Sequence, residues 1–122
     1  MPEKRELLVV DNEAPLRALL SKELTRAGYE VRTASDGDEA IQMLGTARFD
    51  LVLLDLVMPK VGGIEVLKFI RKNKPAVKVI MLTAFSNLKD AIESKKQGAD
   101  DFLSKPYDIV DLVSTIERVL NR

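Results

Sequence analysis

Polar groups able to do chemistry follow four of the short apolar runs in this sequence. In chain order they are Asp11-Asn12-Glu13, Asp55, Thr83-Ala84 and Lys105-Pro106. Together they offer carboxylates, a hydroxyl and an ammonium, while the chain contains no histidine and no cysteine. Any catalysis or metal binding must therefore use carboxylates, lysine, hydroxyls and backbone groups. Oxygen ligands of this kind favour Mg²⁺, which takes one or two protein carboxylates and keeps several waters.

The elements that carry these groups can be located from hydrophobic patterning. Five runs have the length of strands: residues 7–10, 30–33, 51–54, 77–82 and 101–103. The segments between them have helical spacing, as in Leu16, Leu19, Leu20 and Leu24 or along 109–120. Residues suited to helix starts and ends punctuate these segments, namely Pro15, Gly28, Ser35, Asp36, Gly62, Gly63 and Gly98. Five strands alternating with five helices predict a parallel sheet covered on both faces.

Strand polarity predicts the order of the sheet. The runs at 7–10, 51–54 and 77–82 are continuously apolar, as strands buried on both faces are. The runs at 30–33 and 101–103 are mixed and belong at the edges. Placing these two strands outside is consistent with the order 2-1-3-4-5, and we expect an α/β, flavodoxin-like, doubly wound (βα)5 sandwich. The length predicts one domain over residues 1–122.

All four polar groups should then meet at one edge of the sheet. Open parallel sheets bind ligands beyond the carboxyl ends of their strands, where the strand order reverses, here between the first and third strands. Taken singly, Asp55, Asp11 and Glu13 are more often turn or helix caps, but a shared edge favours a site. Phosphoryl transfer needs positioning and charge neutralisation, which a metal ion, Lys105, the Thr83 hydroxyl and a backbone N–H would supply. Asp55 can serve as the carboxylate nucleophile.

Composition argues against several other classes of function. Nineteen basic and nineteen acidic side chains give a formal net charge of zero, with no electrostatic signature for direct nucleic-acid or membrane binding. No basic start precedes an apolar N-terminal run, and no apolar run approaches the ~20 residues of a membrane span. We therefore expect a cytoplasmic protein.

Four segments resemble the receiver domains of two-component response regulators, and the resemblance covers essentially the whole chain. In order they are 7–13 (LLVVDNE), 51–59 (LVLLDLVMP), 81–84 (MLTA) and 98–106 (GADDFLSKP). Each segment alone is a weak signal, but all four in order and properly spaced are very specific. The resemblance implies that a histidine kinase donates a phosphoryl group to Asp55. It also implies a cis peptide bond between Lys105 and Pro106.

The resemblance also implies roles for the other site residues. The implied ligands of Mg²⁺ are Asp55, the acidic turn at Asp11, Asn12 and Glu13, and the main-chain carbonyl of Val57. The implied contacts to phosphoryl oxygens are Thr83, Lys105 and the backbone N–H of Ala84. The chain is then a phosphoacceptor switch rather than an enzyme, although it would catalyse its own phosphorylation from small phosphodonors and its own dephosphorylation.

The output surface of receivers usually comprises the fourth helix, fifth strand and fifth helix, here 87–97 and 101–120. The family couples a hydroxyl at the Thr83 position to an aromatic at the Phe102 position. Because Phe102 has no hydroxyl, switching would come from packing alone. Charged residues on this surface could form ion pairs between two copies or a solvated face. The expected partners are a histidine kinase, a downstream effector domain or protein, and a second copy of the chain.

Three departures from the family pattern carry predictions. Asn12 stands where a second aspartate usually contributes the main carboxylate ligand of this turn, so Mg²⁺ binding should be weaker than in an Asn12→Asp variant. Gly62 stands where an aspartate cap is frequent, with a modest expected effect on the helix start. Val57 and Phe85 are apolar where the family lines the path of the attacking water. We therefore predict a long-lived phosphoryl group, which rapid spontaneous dephosphorylation in Mg²⁺ buffer would contradict.

Three other interpretations differ in what they require of the sequence. A degenerate receiver that binds proteins without phosphorylation is favoured by Asn12 but disfavoured by Asp55, Thr83 and Lys105. A phosphatase or phosphotransferase with an aspartyl nucleophile commonly carries a second acid two residues on, where this chain has Val57. A flavin or nucleotide binder needs a Gly- or hydroxyl-rich loop after the first strand, where the acidic turn presents the opposite charge.

Overall fold

A computed structural model describes residues 4–56, 58, 61–84 and 88–122, with the backbone only at 83, 84, 88 and 90. Ten elements alternate along the chain. The strands are β1 (Glu6–Val10), β2 (Glu30–Ala34), β3 (Leu51–Asp55), β4 (Lys78–Ala84) and β5 (Asp101–Lys105). The helices are α1 (Ala14–Arg26), α2 (Gly37–Thr46), α3 (Gly63–Asn73), α4 (Leu88–Lys96) and α5 (Ile109–Leu120). None of the described helices is long and apolar enough to cross a membrane.

The strands form one parallel sheet in the order β2-β1-β3-β4-β5, which confirms the predicted fold and strand order. The register places Leu7 opposite Leu51 and Leu51 opposite Lys78. Residues of β3 are buried throughout, whereas β2 and β5 are largely half-buried or exposed. The mixed polarity of the edge strands in the sequence thus reflects their position in the sheet.

Two hydrophobic clusters cover the two faces of the sheet. Successive strand residues point to opposite faces, so Leu8 and Val10 join one cluster while Leu7 and Val9 join the other. Buried residues of α2 and α3 complete the first cluster, and buried residues of α1 and α5 complete the second. Leu19 departs from the predicted apolar face of α1, since 49% of it is exposed. The apolar face of α1 is therefore wider than the strip that the sheet covers.

Helix boundaries follow the predicted punctuation with one correction. Asp36 caps α2 by accepting a hydrogen bond from the Glu39 N–H at 2.8 Å. Ser35 takes part through its backbone, because its N–H donates to the Glu39 carboxylate, rather than as a side-chain cap. Gly62 is the residue before α3 and provides no side-chain hydrogen bond, as its lack of a side chain requires. Gly28 and Gly98 both have positive φ after helices, which a glycine adopts without strain.

The start of α3 packs directly against the end of β3, next to Asp55. A Cβ added at Gly63 would lie 2.5 Å from the carbonyl oxygen of Asp55 and 2.9 Å from the Cα of Leu56. Both neighbours are backbone atoms, which cannot rotate away. Glycine at position 63 therefore lets the helix close onto the strand that carries Asp55.

The close approach at Gly63 predicts that Gly63→Ala lowers the unfolding free energy by about 1–3 kcal/mol, because overpacking forces the backbone apart. Gly45 in α2 is the matched control, because a Cβ there would meet nothing within 4 Å. Gly45→Ala should raise stability by about 0.5–1 kcal/mol through the lower entropy of its unfolded chain. Urea unfolding of both variants measures the difference, and equal stabilities would show that α3 does not depend on the close approach.

Candidate functional site

Three charged side chains from different strands converge at the carboxyl edge of the sheet. Asp11 directly follows β1, Asp55 is the last residue of β3, and Lys105 is the last residue of β5. The Lys105 Nζ lies 3.4 Å from an Asp11 carboxylate oxygen and 3.8 Å from an Asp55 carboxylate oxygen. The sequence places these residues far apart, and they meet because parallel strands end at the same edge.

The three charged side chains are largely buried, which strengthens the electrostatic interactions between them. Asp11 is fully buried, the Asp55 side chain is 10% exposed, and the Lys105 side chain is 27% exposed. A buried carboxylate loses hydration and needs an opposite charge and hydrogen bonds in its place. One ammonium faces two carboxylates, so the formal charges of these three side chains sum to −1.

The backbone of the acidic turn is held by several hydrogen bonds. The Asp11 side chain accepts a hydrogen bond from the Glu13 N–H at 2.9 Å, and the Asp11 N–H donates to the Ala34 carbonyl. The Arg17 guanidinium donates to the Asp11 carbonyl at 2.7 Å. These bonds fix the direction of the Asp11 carboxylate. Arg17 did not emerge from the sequence, because its acceptor is a backbone carbonyl that leaves no side-chain pattern.

The structure describes some of the remaining predicted site residues fully and others only in part or not at all. Asn12 and Glu13 are exposed, beside the buried Asp11. Backbone pairing sets Thr83 opposite Ser104 and Ala84 opposite Lys105, at the same edge of the sheet. The side chains of Thr83 and Ala84, and all of Val57 and Phe85, lie outside the described residues, so their roles stay predictions. Within the described ranges, no three acidic, histidine or cysteine side chains cluster as a metal site.

Two further observations concern the fifth strand and the connection after it. Phe102 is half-buried and packs against the hydrophobic cluster on the α2–α3 face. The Lys105–Pro106 peptide bond is cis, as expected from the resemblance.

Tyr107 lies in the connection from β5 to α5 and did not emerge from the sequence analysis. Its hydroxyl is buried and, within the part of the chain that the structure describes, has no hydrogen-bond partner. Burial, followed by the charges of Asp11, Asp55 and Glu13, raises the pKa of Tyr107 to about 12. The phenol therefore remains protonated at neutral pH. The spacing of Tyr107 from Lys105 does not predict that the tyrosine hydroxyl is buried. Its placement depends on how the chain runs from β5 into α5.

Comparison with protein families assigns the chain to a family. The family model for the response regulator receiver domain matches residues 7–117. The chain belongs to the response regulator receiver domain family. Phosphorylation-based switching in two-component signalling is the general function of receiver domains, which generally bind Mg²⁺ at the site of phosphorylation. Response regulators act with histidine kinases and have effector domains.

Individual relatives support the same assignment for this receiver domain. It is 39% identical to the alkaline phosphatase synthesis transcriptional regulatory protein PhoP of Bacillus subtilis, over 97% of this chain and 49% of PhoP. It is 42% identical to the probable transcriptional regulator ycf27 of Guillardia theta, over 98% of this chain and 46% of that protein. The receiver domain thus spans about half the length of these curated relatives.

A solved structure matches this receiver domain over nearly its whole length. The chemotaxis protein CheY4 of Vibrio cholerae superposes with a TM-score of 0.90 at 35% identity. The match covers 96% of this chain and 99% of CheY4. The five-stranded order and the helices on both faces are therefore those of a CheY-like receiver.

Proposed function

We propose that this receiver domain accepts a phosphoryl group from a histidine kinase on Asp55 in a Mg²⁺-dependent reaction. The modified domain then changes its α4–β5–α5 surface and thereby controls an effector domain or partner protein. The observation that carries the proposal is the Lys105 ammonium, which lies within 3.8 Å of carboxylate oxygens of both Asp11 and Asp55. A nucleophile, a metal-binding acid and a fixed cation are the charged parts that phosphoryl transfer to a carboxylate needs.

The donor set at this edge fits Mg²⁺. Asp11 and Asp55 offer hard oxygen donors, and nearby Asn12 can add an amide oxygen. Mg²⁺ takes one or two protein carboxylates and keeps water in its other positions, so a site without three clustered acids is sufficient. Bound there, the ion would neutralise charge on the phosphoryl oxygens and allow an anionic donor to approach a carboxylate. Following the family, we also propose the Val57 carbonyl as a ligand.

Asp55 is the group that forms the new bond. An oxygen of its carboxylate attacks the phosphorus of a phosphohistidine, the acyl-phosphate bond forms, and the phosphorus–nitrogen bond breaks as the imidazole leaves with its electron pair. Lys105, whose ammonium lies beside both carboxylates, would neutralise developing negative charge on the phosphoryl oxygens. We propose that the Thr83 hydroxyl and the Ala84 N–H complete the contacts to the phosphoryl oxygens. A small donor such as acetyl phosphate would follow the same course, with acetate as the leaving group.

The α4–β5–α5 surface has features of an output face. Ile92 on α4 and Val110 on α5 are large apolar residues with 51% and 76% exposure. The Arg118 guanidinium donates to the Asp101 carboxylate at 2.8 Å within the same chain. Burial raises the pKa of Asp101, but hydrogen bonds from Arg118 and the Phe102 N–H, together with the charges of Arg118 and Lys95, outweigh it and lower the pKa overall. Arg118 is thus engaged internally, which favours exposed apolar residues over this ion pair as contacts to a second copy.

A degenerate receiver is the second candidate function, and Asn12 is the observation that favours it. In that case the fold would present a binding surface without ever carrying phosphate. The buried arrangement of Asp11, Asp55 and Lys105 argues against it, because buried charges without a function are costly to keep. The two candidates differ in whether the chain takes up one phosphoryl group.

The direct test of phosphorylation is the intact mass after incubation with acetyl phosphate and Mg²⁺. The parent chain should gain one phosphoryl group, whereas Asp55→Asn should gain none, because an amide is not a nucleophile of this kind. Asp50→Asn is a matched control at the opposite end of β3 and should still be modified. A parent chain that stays unmodified would favour the degenerate receiver, and modification of Asp55→Asn would assign the acceptor to another residue.

Restoring the acid at position 12 should strengthen metal binding. Asn12→Asp adds one negative charge beside Asp11, and we expect Mg²⁺ affinity to rise about three- to tenfold because the new charge is exposed and partly screened. Isothermal titration calorimetry of both chains measures the change. Asp38→Asn, which removes an exposed charge from α2, should leave the affinity unchanged. Equal affinity in parent and Asn12→Asp would contradict the prediction that the missing charge weakens Mg²⁺ binding.

Phosphorylation should bring two copies together through the α4–β5–α5 surface. Ile92→Lys places a charge on an apolar contact and should keep the phosphorylated chain monomeric at an unchanged level of modification. Leu19→Lys on α1 is the control, since Leu19 has similar exposure on another face, and it should still dimerise. Sedimentation velocity before and after acetyl phosphate treatment gives the state. A dimer that persists in Ile92→Lys would place the interface elsewhere.

A further inference from the structure

A groove lined by basic residues lies at the amino ends of the strands, the edge of the sheet opposite the phosphoacceptor site. Arg5 directly precedes β1, Asp50 directly precedes β3, and Lys78 is the first residue of β4. Together with Arg48 and Lys74, these residues line a cavity of about 310 Å³. A five-residue strand spans roughly 16 Å, so the groove and the phosphoacceptor site are separate features of the surface.

The charges that line this groove do not balance. Among its described residues four are basic and one, Asp50, is acidic, so their formal charges sum to +3 in a chain whose total is zero. The Asp50 carboxylate already accepts a backbone hydrogen bond at 2.7 Å and lies 3.8 Å from the Arg48 guanidinium. No carboxylate of the described residues forms an ion pair with Arg5, Lys74 or Lys78. Three cations of the groove therefore lack an anionic partner within the described chain.

Two of these cations are held in place by the fold. Lys74 and Lys78 are half-buried, whereas the Arg48 side chain is 84% exposed. The Lys74 N–H donates to the Ile70 carbonyl at 2.7 Å, and the Lys78 N–H donates to the Asp50 carbonyl at 3.1 Å. Half-buried charges are screened less by salt than fully exposed charges. The two lysines thus present positive charge from a fixed backbone, which favours binding of an anion.

Apolar side chains lie among the cations of the groove. Phe49 and Val77 are buried, with 4% and 8% exposed, and Leu120 at the end of α5 is half-buried. All three line the groove. A second cavity of about 300 Å³ at the end of α2 shares Arg48, Phe49, Lys74 and Val77 with it, so the two cavities adjoin. The combined space is large enough for several side chains of a ligand and offers it both charge and apolar contact.

The combination of charge and apolar surface selects among anionic partners. Inorganic phosphate would use the cations but leave the apolar side chains without a contact. A nucleic acid favours basic residues spread along its backbone and a basic domain, whereas here the excess charge is confined to one groove of a neutral chain. A peptide segment in which Asp or Glu residues flank an apolar side chain matches both properties of the groove.

We propose that this groove is a docking site for an acidic peptide segment of a partner protein. Carboxylates of the segment pair with Arg5, Lys74 and Lys78, and an apolar side chain between them packs against Phe49 and Leu120. The inference goes beyond the proposed phosphorylation and does not depend on it. Because the two sites lie at opposite edges of the sheet, the domain can hold this partner while the phosphoacceptor remains accessible.

Binding of a fluorescein-labelled peptide of sequence EDLFDE, followed by anisotropy at low ionic strength, tests the proposal. The parent should bind the peptide, and the double variant Lys74→Gln, Lys78→Gln should bind it about three- to tenfold more weakly, because two cations are lost while most of each side-chain stem remains. Lys96→Gln removes an exposed charge from α4 and is the matched control, which should bind like the parent. Amide chemical shifts of the parent should change at residues 48–50 and 74–78 and not at Asp11.

Two altered peptides test the charge and the apolar contact without changing the protein. The peptide EDGSDE keeps the charges and should bind at least about fivefold more weakly than EDLFDE, because its apolar contact is lost. The peptide NQLFNQ keeps the apolar side chains and should also bind at least about fivefold more weakly, because its carboxylates are lost. Equal binding of EDLFDE and EDGSDE, or displacement by inorganic phosphate at matched ionic strength, would reduce the groove to a general anion site and overturn the proposal.

The remaining outcomes distinguish this inference from its rivals and from the proposed function. A parent that fails to bind EDLFDE, or a lysine double variant that binds it equally well, would overturn the inference. Tighter binding of a single-stranded oligonucleotide would assign the groove to nucleic acid, and dimerisation that the double variant abolishes would assign it to a second copy. Asp55→Asn should bind the peptide like the parent, so failure of phosphorylation would leave this inference intact.

Discussion

Two carboxylates at one edge of a sheet repel each other, and a cation close to both is needed to offset that repulsion. The rest of this structure depends on this electrostatic constraint. At an effective dielectric constant of about 20, unit charges 4 Å apart interact by roughly 4 kcal/mol, which is comparable to the cost of burying one charge. A single ammonium can therefore offset part of the cost of burying Asp11 and Asp55 but not their full charge. Lys105 thus lowers the free-energy cost of burying the two carboxylates. The negative formal charge that remains among the three side chains favours the binding of a further cation.

The fold produces this arrangement by simple means. Parallel strands deliver the ends of β1, β3 and β5 to the same edge, and the strand order opens a crevice beside Asp55. Gly63 allows α3 to close behind Asp55, and backbone hydrogen bonds to Asp11 fix the acidic turn. The packing of the backbone therefore sets the positions of Asp11, Asp55 and Lys105. Their side chains come close together without large rearrangements.

Much of the fold and part of the site could be predicted from the sequence because they depend on short-range patterns. Apolar runs of strand length located the strands, and their polarity located the edges, since burial on one or two faces selects residue types. Asp11, Asp55 and Lys105 could be placed at one edge because each follows or ends a strand. The family resemblance added the cis bond before Pro106, for which the residues alone give no signal.

Other features depend on tertiary packing and left no pattern to find. Leu19 shares the helical spacing of Leu20 and Leu24, yet the sheet covers a narrower strip of α1 than that spacing spans. Arg17 binds a backbone carbonyl, an acceptor that every residue possesses. The Tyr107 hydroxyl is buried because of the path that the chain takes between β5 and α5. Each of these features depends on how the chain packs in three dimensions, which no local pattern of residue types records.

The coupling between Lys105 and Asp11 tests the central electrostatic arrangement most directly. A double-mutant cycle of Lys105→Met and Asp11→Asn, measured by urea unfolding without divalent cations, isolates it because asparagine keeps the acceptor for the Glu13 N–H. Loss of Lys105 should cost about 1 kcal/mol or more beyond its cost in the Asp11→Asn background. Stability changes that add within about 0.3–0.5 kcal/mol would show that the ammonium does not hold the acidic pair together.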